Sequence, residues 1–578
     1  MRVSAQPVVS GLCSRPSTYP STPIAHCFHY IGLLALMNCT TDMKAKIEDG
    51  IVYSPQRDVL IPEVPLYSFF KSHVQKHGDK VAAIEENRQW SFNEVLRSIE
   101  WYATGFQSIG LRKGDRVCVH VGNKFENLLA MYGIVAAGGT VVCSKPSLTP
   151  RELSYQLTDS ESTYVLTDSR NADKVSQVKD KHKLKAVLSM EAVDGFFSVE
   201  QFKEGVAEST FKLVDVENPK EEVVALIYTS GTTGLPKGVQ VTHYGLVGCH
   251  VQSLHSYEIS KEDVTLNWEP ITHASGFMSS MIRIVHGVTS VIGQPTMGVK
   301  EFVDKVNKHK VTSLFFFPTR LQAFVNAMDS HGYRTPSIKS IAVGGGGLPP
   351  SVAKKALKLF NLTCFLNVYG LTESCGLVCG SLSGDTAYGT IGFPAVNVQI
   401  KIVDIGTGRV LGPGERGEMV IKLPNVMKGY YKNAEATAAV LSADGWLRTG
   451  DCAYYDKDGR FYFVERLKEM IKCLDNQVAP AEVEEVLLSH EAVAEAAVVG
   501  IPDPQYGEAP TAFVVLRDSS HEDVETVRTQ LKELVKRECA QHKHLHGGCH
   551  FIERLPKTET GKVQRAALRE SYAAIQKK

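Results

Sequence analysis

From about Ile51 onwards, short apolar runs alternate with stretches whose apolar residues recur at three- and four-residue spacing. Residues 81–84 and 116–121 have the composition of strands, whereas residues 92–109 and 125–137 have the period of amphipathic helices. Such alternation of strand and helix is typical of a mainly parallel sheet with helices on both faces. The sequence therefore predicts an α/β fold for the larger part of the chain.

The pattern changes twice further along the chain. A second alternating run has its clearest strands at residues 311–317 and 340–343. From about Ala395 short strands and turns predominate, and the Asp-Lys-Asp-Gly string at residues 456–459 is a tight-hairpin signal. Beyond Arg466 helical and strand patterns alternate again over the last ~110 residues, which is an ordinary size for a domain.

These changes predict three parts. Residues 1–45 are expected to be a disordered or targeting extension, because their composition differs from that of the remaining chain. Residues 46–466 are expected to form a large N-terminal domain of two αβ subdomains and a small β-rich subdomain. Residues 467–578 are expected to form a small α+β C-terminal domain that is hinged near residues 466–468.

The N-terminal part leaves several interpretations open. Its first acidic residue is Asp42, and an acid-poor, Ser-rich segment is a feature of mitochondrial targeting sequences. Its prolines, however, disfavour the amphipathic helix that such a sequence needs, so a disordered extension and a later start at Met37 or Met43 also stay open. The final residues, Ile-Gln-Lys-Lys, are not a peroxisomal signal of the Ser-Lys-Leu type. A cytoplasmic location is expected, with a mitochondrial one as the alternative.

Composition narrows the class of partner. The 63 basic and 63 acidic residues give a formal net charge of zero, which offers no sign of nucleic acid or of another strongly charged partner. The longest apolar candidate for a membrane segment, residues 30–37, is far shorter than the ~20 residues that a spanning helix requires. A loose membrane association stays open. The 13 cysteines include no Cys-x-x-Cys pair, so neither a disulfide framework nor a metal-binding cysteine cluster is expected.

One glycine- and hydroxyl-rich string has the chemistry of a phosphate-binding loop. Residues 228–239, Tyr-Thr-Ser-Gly-Thr-Thr-Gly-Leu-Pro-Lys-Gly-Val, follow an apolar run at residues 223–227 that predicts a buried strand. Glycines let backbone N–H groups approach an anion, hydroxyls add donors, and Lys237 supplies a positive charge. The string is not a P-loop, in which Gly-Lys-Ser/Thr leads into a helix. A polyphosphate loop and a solvated turn are the two interpretations of these residues alone.

The string resembles the phosphate-loop signature of the adenylate-forming (ANL) superfamily, which includes acyl- and aryl-CoA ligases, adenylation domains and beetle luciferases. Three further strings resemble motifs of the same family and occur in the family's order: residues 367–374, residues 445–451 together with Arg466, and residues 556–562. The resemblance extends over about residues 50–575. It indicates the branch of acyl-CoA synthetases, 4-coumarate–CoA ligases and luciferase-like enzymes, and it implies their fold.

The resemblance also implies the roles of individual residues. Thr372 would contact the α-phosphate, and Glu373 would bind Mg²⁺, an ion that takes few protein carboxylates when it is bound to ATP. Asp451 and Arg466 would hold the ribose, and Lys562 would reach the carboxylate and the α-phosphate during adenylation. The residues implied to contact ATP are Thr229, Ser230, Gly231, Thr232, Thr233, Gly234, Lys237, Gly345, Gly346, Asn367, Tyr369, Gly370, Thr372, Asp451, Arg466 and Lys562.

Other positions are implied to serve the acyl group and CoA. His273 would lie between the acyl pocket and the thiol channel and is the fourth implied catalytic residue, with Lys468 at the hinge, Lys562 and Thr372. The residues implied to line the acyl pocket and the CoA channel are His273, Gly344, Gly345, Lys472 and Asp475.

Two single positions and one short segment depart from the family's pattern. Asn367 stands where Gln is usual, and Glu465 stands where Asp is usual. After the hinge, CoA-using relatives often have Lys-Tyr-Lys-Gly, whereas this chain has Lys472-Cys473-Leu474-Asp475. A side chain at Asp475 would narrow the channel that the CoA thiol uses, so adenylation is better supported than thioester formation.

The function expected from these motifs is that of an ATP-dependent carboxylic acid–CoA ligase for a fatty or aryl acid. It would act through an acyl-adenylate, release pyrophosphate and AMP, require Mg²⁺, and use ATP and CoA as co-substrates. The alternatives are an adenylating enzyme that passes the acyl group to a carrier-protein thiol or another acceptor, and a non-catalytic nucleotide-binding protein. The sequence predicts neither the particular acid nor the oligomeric state.

Overall fold

We analysed a computed structural model of the chain. It describes residues 44–204, 211–229, 235–256, 259–382, 388–474, 476–517, 523–558 and 561–575. The predicted extension at residues 1–45 therefore lies outside the described residues except for its last two positions. Within the described residues, no helix is both long enough and apolar enough to cross a membrane.

The first sheet has eight strands, and the two that flank the glycine-rich string, Val223–Thr229 and Lys237–Thr242, are neighbours near one edge. Six strands are parallel, and the two at one edge, Lys237–Thr242 and Gly429–Tyr430, are antiparallel to their neighbours. In spatial order the strands are Gly429–Tyr430, Lys237–Thr242, Val223–Thr229, Thr140–Cys143, Arg116–His120, Tyr164–Thr167, Ala186–Ser189 and Phe197–Ser198.

The second sheet has nine strands, of which the central six are parallel and the outer ones antiparallel. In spatial order the strands are Phe393–Pro394, Gly376–Gly380, Cys364–Leu371, Ser340–Gly344, Ser313–Phe316, Val264–Asn267, Thr289–Ile292, Val81–Glu85 and Arg88–Ser91.

Helices cover both sheets. Two of them begin at capping boxes: Ser91 with Glu94, and Thr149 with Glu152, satisfy the first free N–H groups of their helices. One large apolar core includes strand residues of both sheets, so the sheets share their interior. The helices before residue 400 are Leu66–Val74, Phe92–Ser108, Phe125–Ala136, Pro150–Asp159, Ala172–Ser176, His243–Ser256, Ala274–Val285, Val299–His309, Pro318–His331 and Pro350–Leu359.

The third sheet is antiparallel throughout and matches the predicted β-rich subdomain. Its strands, in spatial order, are Ile47–Glu48, Ile51–Tyr53, Gln399–Val403, Gly417–Lys422, Trp446–Tyr455 and Phe461–Arg466. The helix Ala434–Val440 lies beside it in the sequence. The predicted hairpin is confirmed, because the two strands that flank it are paired antiparallel and Gly459 N donates to Asp456 O at 3.0 Å.

The fourth sheet is formed entirely by residues after the Lys468 turn and has an apolar core of its own. Its strands are Ile471–Cys473, Asn476–Val478, Gly507–Leu516, Val493–Asp503 and Cys549–Phe551, and its helices are Pro480–Leu488, Val524–Glu538 and Arg565–Ile575. Short 3₁₀ turns occur at Gln75–His77, Lys179–Lys181, Val199–Glu204, Thr372–Ser374 and Gln541–Lys543. The division of the chain into domains at residues 45/46 and 466/467 stays a prediction.

Most strands and helices expected from sequence are confirmed to within a few residues at their ends. The predicted helix at residues 92–109 is Phe92–Ser108, and the predicted strand at 311–317 is Ser313–Phe316. The largest error concerns the small C-terminal sheet, where two short predicted strands are the long hairpin Val493–Asp503 and Gly507–Leu516. The missed residues include Pro502 and Pro510, which sequence patterns exclude from strand interiors.

Five histidines among the described residues have strongly depressed pKa values. Burial is the largest cause for each, and it lowers the pKa to about 4 for His120, His243 and His286 and to about 3 for His250 and His273. His250 is an extreme case, because neither of its ring nitrogens has a hydrogen-bond partner among the described residues. All five side chains are therefore neutral in the folded protein at neutral pH.

These histidines predict acid sensitivity. The unfolded chain binds their protons near pH 6.5 and the folded chain only near pH 3–4, so stability is complete above about pH 6.5 and falls as the pH decreases. Each histidine contributes at most ~1.4 kcal/mol per pH unit to this loss. Urea denaturation at pH 7.5, 6.0 and 5.0 measures the slope. His250→Phe should reduce it, whereas His331→Gln, at an exposed position, should not; a slope unaffected by His250→Phe would contradict the assignment.

Candidate active site

The two ends of the predicted phosphate loop lie side by side in the first sheet. Thr229 is the last residue of its strand and pairs with Lys237, the first residue of the next, antiparallel strand. The string thus begins at the carboxyl end of an outermost parallel strand, and the carboxyl ends of such strands form the edge of an α/β sheet where ligands usually bind. The predicted loop residues Ser230, Gly231, Thr232, Thr233 and Gly234 lie outside the described residues.

Lys237 and Glu373 approach each other through Tyr430. The Lys237 Nζ lies 5.1 Å from the centre of the Tyr430 ring, and the Tyr430 hydroxyl donates to Glu373 Oε1 at 2.9 Å. The strand of Tyr430 pairs with that of Lys237, which fixes this arrangement. A carboxylate beside a phosphate loop is the kind of ligand that Mg²⁺ uses when it is bound to ATP. Glu373 therefore fits the role of the Mg²⁺ ligand.

Asp451 lies at the centre of a second set of contacts. The Tyr369 hydroxyl donates to Asp451 Oδ2 at 2.5 Å, and Arg466 Nε lies 3.3 Å from Asp451 Oδ1. Asp451 and Arg466 are cross-strand neighbours in the third sheet, and the Asp451 side chain is only 2% exposed. Its Oδ1 accepts no hydrogen bond from the described residues. This carboxylate can therefore still accept hydrogen bonds from a ligand such as a ribose.

Lys562 reaches this region from the C-terminal part of the chain. The hydroxyl of Thr319, in the helix Pro318–His331, donates to the backbone oxygen of Gly561 at 2.6 Å and anchors the loop. Lys562 keeps solvent-accessible surface, but the protein around its ammonium group displaces much of the water. This burial is the largest cause that lowers the pKa of Lys562 to about 8, and repulsion from Arg466 follows. Attraction from Asp451 opposes both effects.

His273 is part of the same electrostatic neighbourhood. It precedes the helix Ala274–Val285, and its Nδ1 accepts a hydrogen bond from the backbone N–H of Ser275 at 3.2 Å. Burial lowers the pKa of His273, and repulsion from Lys145 and Lys562 lowers it further. The ring is edge-on to that of Phe317 at 6.3 Å. His273 is thus a neutral imidazole between an aromatic wall and a cluster of cations.

The glycines at 344–347 follow the strand Ser340–Gly344. A Cβ atom on Gly344 would lie 2.6 Å from a Val368 methyl group, and one on Gly345, where φ is 86°, would lie 2.9 Å from the Phe317 ring. These two glycines are therefore required by the packing of the protein itself. The predicted reason, an approach of adenine or acyl chain to the backbone, fits Gly346 better, because only Pro318 side-chain atoms at 3.8 Å or more come near it.

The remaining predicted residues differ in how they relate to this site. The Asn367 side-chain N–H donates to Thr390 O at 2.8 Å, so the amide supports the fold as well as the predicted site. A Cβ on Gly370 would lie 2.6 Å from Gly376 O, which explains the glycine there. Thr372 begins the 3₁₀ turn that presents Glu373.

The hinge residue Lys468 influences Lys562 through its charge, and the segment after the hinge makes local contacts. Lys468 is exposed in a turn in which Glu469 N and Met470 N donate to Arg466 O. Lys472 N donates to Glu508 Oε2 at 2.7 Å. Leu474 has the left-handed φ of 51°, which costs about 1 kcal/mol or more for a residue with a side chain. Asp475, which is predicted to narrow the CoA channel, lies outside the described residues.

Profiles of known families match both parts of the chain. That of the AMP-binding enzymes matches residues 70–431, and that of the AMP-binding enzyme C-terminal domain matches residues 482–562. The chain belongs to the AMP-binding enzyme family. The predicted membership of the adenylate-forming superfamily is thereby confirmed, and at this level the protein is an adenylate-forming enzyme of the acyl-CoA ligase family.

Curated relatives of this AMP-binding enzyme are similar over nearly their whole length. Peroxisomal OPC-8:0-CoA ligase 1 of Arabidopsis thaliana is 31% identical, with 89% of this chain and 95% of that protein covered. Luciferin 4-monooxygenase of Photuris pensylvanica is 30% identical, with 83% and 89% covered. ATP-bound MatB of Rhodopseudomonas palustris superposes with a TM-score of 0.79 at 26% identity, covering 89% of this chain and 100% of MatB. The predicted fold class is thereby confirmed.

Sequence reasoning missed three residues of this site in the AMP-binding enzyme. Lys145 adds positive charge near both His273 and Lys562, Tyr430 joins Lys237 to Glu373, and Thr319 anchors the Lys562 loop. Lys145 could have been found, because it follows the parallel strand Thr140–Cys143 at the ligand-binding edge of the sheet. No sequence pattern around Tyr430 or Thr319 indicates that these residues belong to the site.

Proposed function

We propose that this AMP-binding enzyme is an ATP-dependent ligase that joins a fatty or aryl carboxylic acid to CoA through an acyl-adenylate, with release of pyrophosphate and AMP. The observation that carries the proposal is the convergence of Lys562, on the C-terminal part, with Asp451 and Arg466 on the third sheet. These three residues come from separate motifs, and each has the charge that one part of an acyl-adenylate reaction requires.

ATP binds between the phosphate loop and the Asp451 pair. Thr229 and Lys237 hold the phosphates, and Asp451 Oδ1 accepts hydrogen bonds from the ribose hydroxyls while Arg466 balances its charge. Glu373 holds the Mg²⁺ of Mg-ATP, which supplies charge neutralisation for the phosphates when it is bound. The likeness to MatB, which was solved with ATP bound, supports the proposal that this chain binds ATP. Lys145, Arg466, Lys468 and Lys562 together give the site the positive charge that a polyphosphate needs.

In the first half-reaction a carboxylate oxygen of the acid attacks the α-phosphorus of ATP. A new oxygen–phosphorus bond forms, and the bond to the leaving pyrophosphate breaks. The Lys562 ammonium group stabilises the negative charge that the attacking carboxylate and the α-phosphate oxygens share in the transition state. With a pKa of about 8, Lys562 is mostly protonated at pH 7 and therefore has the positive charge that this role requires.

In the second half-reaction the thiolate of CoA attacks the carbonyl carbon of the acyl-adenylate. A carbon–sulfur bond forms, the bond between the carbonyl carbon and the phosphate oxygen breaks, and AMP leaves. Lys562 must withdraw so that the thiol can approach, and rotation of the C-terminal domain about Lys468 achieves this. His273, neutral and next to Phe317, forms the wall between the acyl group and the thiol.

The hinge is testable by substitution. Lys468→Pro fixes one of the backbone angles that rotation must change. We expect it to slow thioester formation by about tenfold or more, equivalent to ~1.4 kcal/mol of barrier, and to leave acid-dependent pyrophosphate release within about threefold of the wild type, a change of less than 1 kcal/mol. Single-turnover assays of the two half-reactions measure this. Lys468→Ala is the matched control, because it removes the charge of the side chain but leaves the backbone free to rotate. Equal losses in both half-reactions for Lys468→Pro would contradict the assignment of Lys468 as the hinge.

The strained Leu474 turn favours a second candidate, in which the acyl group passes to a carrier-protein thiol or another acceptor. This turn takes the place of the Lys-Gly segment usual in CoA-using relatives, and its left-handed Leu474 fixes a side chain beside Tyr506, whose backbone oxygen accepts from Leu474 N at 3.0 Å. The difference bears on the approach of CoA and not on adenylation.

One experiment decides between the candidates. Pyrophosphate release and acyl-CoA mass are measured together over a panel of fatty and aromatic acids, with Lys562→Ala as the inactive control. Pyrophosphate with stoichiometric acyl-CoA supports the ligase and identifies its acid. Pyrophosphate without acyl-CoA supports the second candidate, and no acid-dependent pyrophosphate from any acid contradicts both.

A further inference from the structure

Arg565 lies three residues after Lys562 and is surrounded by carboxylates. Its Nη1 lies 2.5 Å from Glu484 Oε1, its Nη2 lies 3.8 Å from Glu465 Oε2, and its Nε lies 3.8 Å from Glu469 Oε2. The Arg565 side chain is 14% exposed, and that of Glu465 is 9% exposed. We call these four residues the Arg565 cluster. At such burial an ion pair is little screened by salt and is costly to break.

The Arg565 cluster crosses the Lys468 turn. Glu465 belongs to the strand Phe461–Arg466, before the turn, whereas Glu484 and Arg565 belong to helices after it. Glu465 is itself held in place, because its Oε1 accepts from the backbone N–H of Arg466 at 2.9 Å. A rotation at Lys468 must separate Arg565 from Glu465 but can leave Arg565 on Glu484. The contact with Glu465 therefore exists in only one of the two orientations.

Lys562 lies between two anchoring points in this orientation. On one side the Thr319 hydroxyl holds Gly561 O, and on the other Arg565 faces Glu465 and Glu469. The strand that carries Glu465 also carries Arg466, which pairs with Asp451. A single guanidinium group thus connects the loop of Lys562 to the strand that contacts the nucleotide in the proposed function.

We propose that Arg565 is a positioning residue that holds Lys562 in its place for adenylation through Glu465, and that breaking this contact releases Lys562 for the second half-reaction. This inference rests on the proposed function for its catalytic consequence. Glu465 stands where the family usually has Asp. Its longer side chain accepts a hydrogen bond from Arg466 N and also reaches the Arg565 guanidinium group, so it can link the two.

The charges around Glu465 favour a contact between Arg565 and Glu465 that can break when the C-terminal part rotates. Arg569 is a second cation near these carboxylates, with its Nη2 3.8 Å from Glu469 Oε2. Burial raises the pKa of Glu465 to about 7, and the nearby Glu484 and Glu469 add to the rise while Arg565 opposes it. Cys452, its cross-strand neighbour, carries no charge at neutral pH because burial raises its pKa to about 11. The Arg565–Glu465 contact is thus weaker than the one between Arg565 and Glu484.

The test measures the rates of the two half-reactions separately in the variants Arg565→Ala and Arg565→Lys. We expect Arg565→Ala to lower kcat for acid-dependent pyrophosphate release by about 10²-fold, as for a misplacement of a catalytic group by ~1 Å, with KM for ATP changed by less than about threefold. Thiolysis of supplied acyl-adenylate should stay within about twofold of the wild type. Arg565→Lys should recover part of the loss, since it keeps the charge but not the fork. Arg537→Ala, which removes an exposed arginine paired with Glu538 on another helix of the C-terminal part of the chain, is the matched control and should change neither rate.

A double-mutant cycle and hydrogen exchange complete the test. The effects of Arg565→Ala and Glu465→Ala on adenylation should be non-additive, because both remove one contact. With ATP bound, amide exchange of residues 561–568 should be faster in Arg565→Ala, whereas the strand Val493–Asp503 should keep its protection. Additive effects, unchanged adenylation, or equal loss of both half-reactions with general loss of protection would overturn the proposal. If wild-type protein releases no pyrophosphate with any acid, the proposed function fails, and the exchange data still decide whether Arg565 holds the loop.

Discussion

Lys562→Ala is expected to lower acid-dependent pyrophosphate release by about 10²–10³-fold, the usual cost of losing one preorganised group that stabilises transition-state charge. Lys562 is the cation whose loop is anchored on Thr319 and which faces Asp451 and Arg466. Because this lysine acts only before the acyl-adenylate exists, thiolysis of supplied acyl-adenylate should be largely intact. Rapid-quench measurement of each half-reaction, with one acid that supports turnover, gives both numbers.

The matched control is another lysine of the same loop. Lys557 pairs with Glu495 at 2.6 Å within the C-terminal part of the chain, so Lys557→Ala removes a charge without removing the proposed catalytic group. We expect its adenylation rate to stay within about threefold of the wild type. Equal losses in the two half-reactions of Lys562→Ala would mean that Lys562 supports the fold or binds the adenylate and does not assist its formation.

Glu269→Ala is expected to lower the free energy of unfolding by about 3–5 kcal/mol, the usual cost of leaving one partner of a buried ion pair alone. Arg283 Nη2 lies 2.6 Å from Glu269 Oε1, and the two side chains are 10% and 1% exposed. Arg283 Nη1 also donates to Asn267 Oδ1 at 2.7 Å, which does not neutralise its charge. The variant would bury an unpaired guanidinium group at the helix that begins next to His273.

Urea denaturation followed by tryptophan fluorescence measures this loss, since Trp268 is the immediate neighbour of Glu269. The control is Asp304→Ala, which breaks the exposed pair of Asp304 with Lys300, also at 2.6 Å. Because exposed pairs contribute roughly 0–1 kcal/mol, this variant should unfold almost like the wild type. A loss below about 1 kcal/mol in Glu269→Ala would contradict the importance of the buried pair.

The sequence predicted the fold well because its periodicity is local. Strands and helices of the two α/β sheets are set by residues within a few positions of one another, and the phosphate loop lies where the strand Val223–Thr229 ends. The long hairpin of the C-terminal sheet was only partly found, because its prolines are tolerated by tertiary pairing that local patterns do not reveal.

The site was predicted less completely, because its contacts join distant parts of the chain. Tyr430 reaches Glu373 from 57 positions away, and Thr319 reaches Gly561 from 242 positions away. Neither residue type is distinctive enough to reveal such a contact. Gly344 and Gly345 were predicted, but for a different reason from their packing against Val368 and Phe317. Glu465 was noted only as a conservative departure, whereas the structure buries it beside Arg565.

The position of Asp451 and Arg466 has a consequence for the fate of the intermediate. Both residues precede the Lys468 turn, on neighbouring strands of the third sheet. In the proposed function, the C-terminal domain can therefore change its orientation while the nucleotide half of the acyl-adenylate stays bound to Asp451 and Arg466, which do not rotate with it. We expect the enzyme to keep this water-sensitive mixed anhydride bound during the rotation. Little free acyl-adenylate should therefore dissociate when the acyl acceptor is scarce.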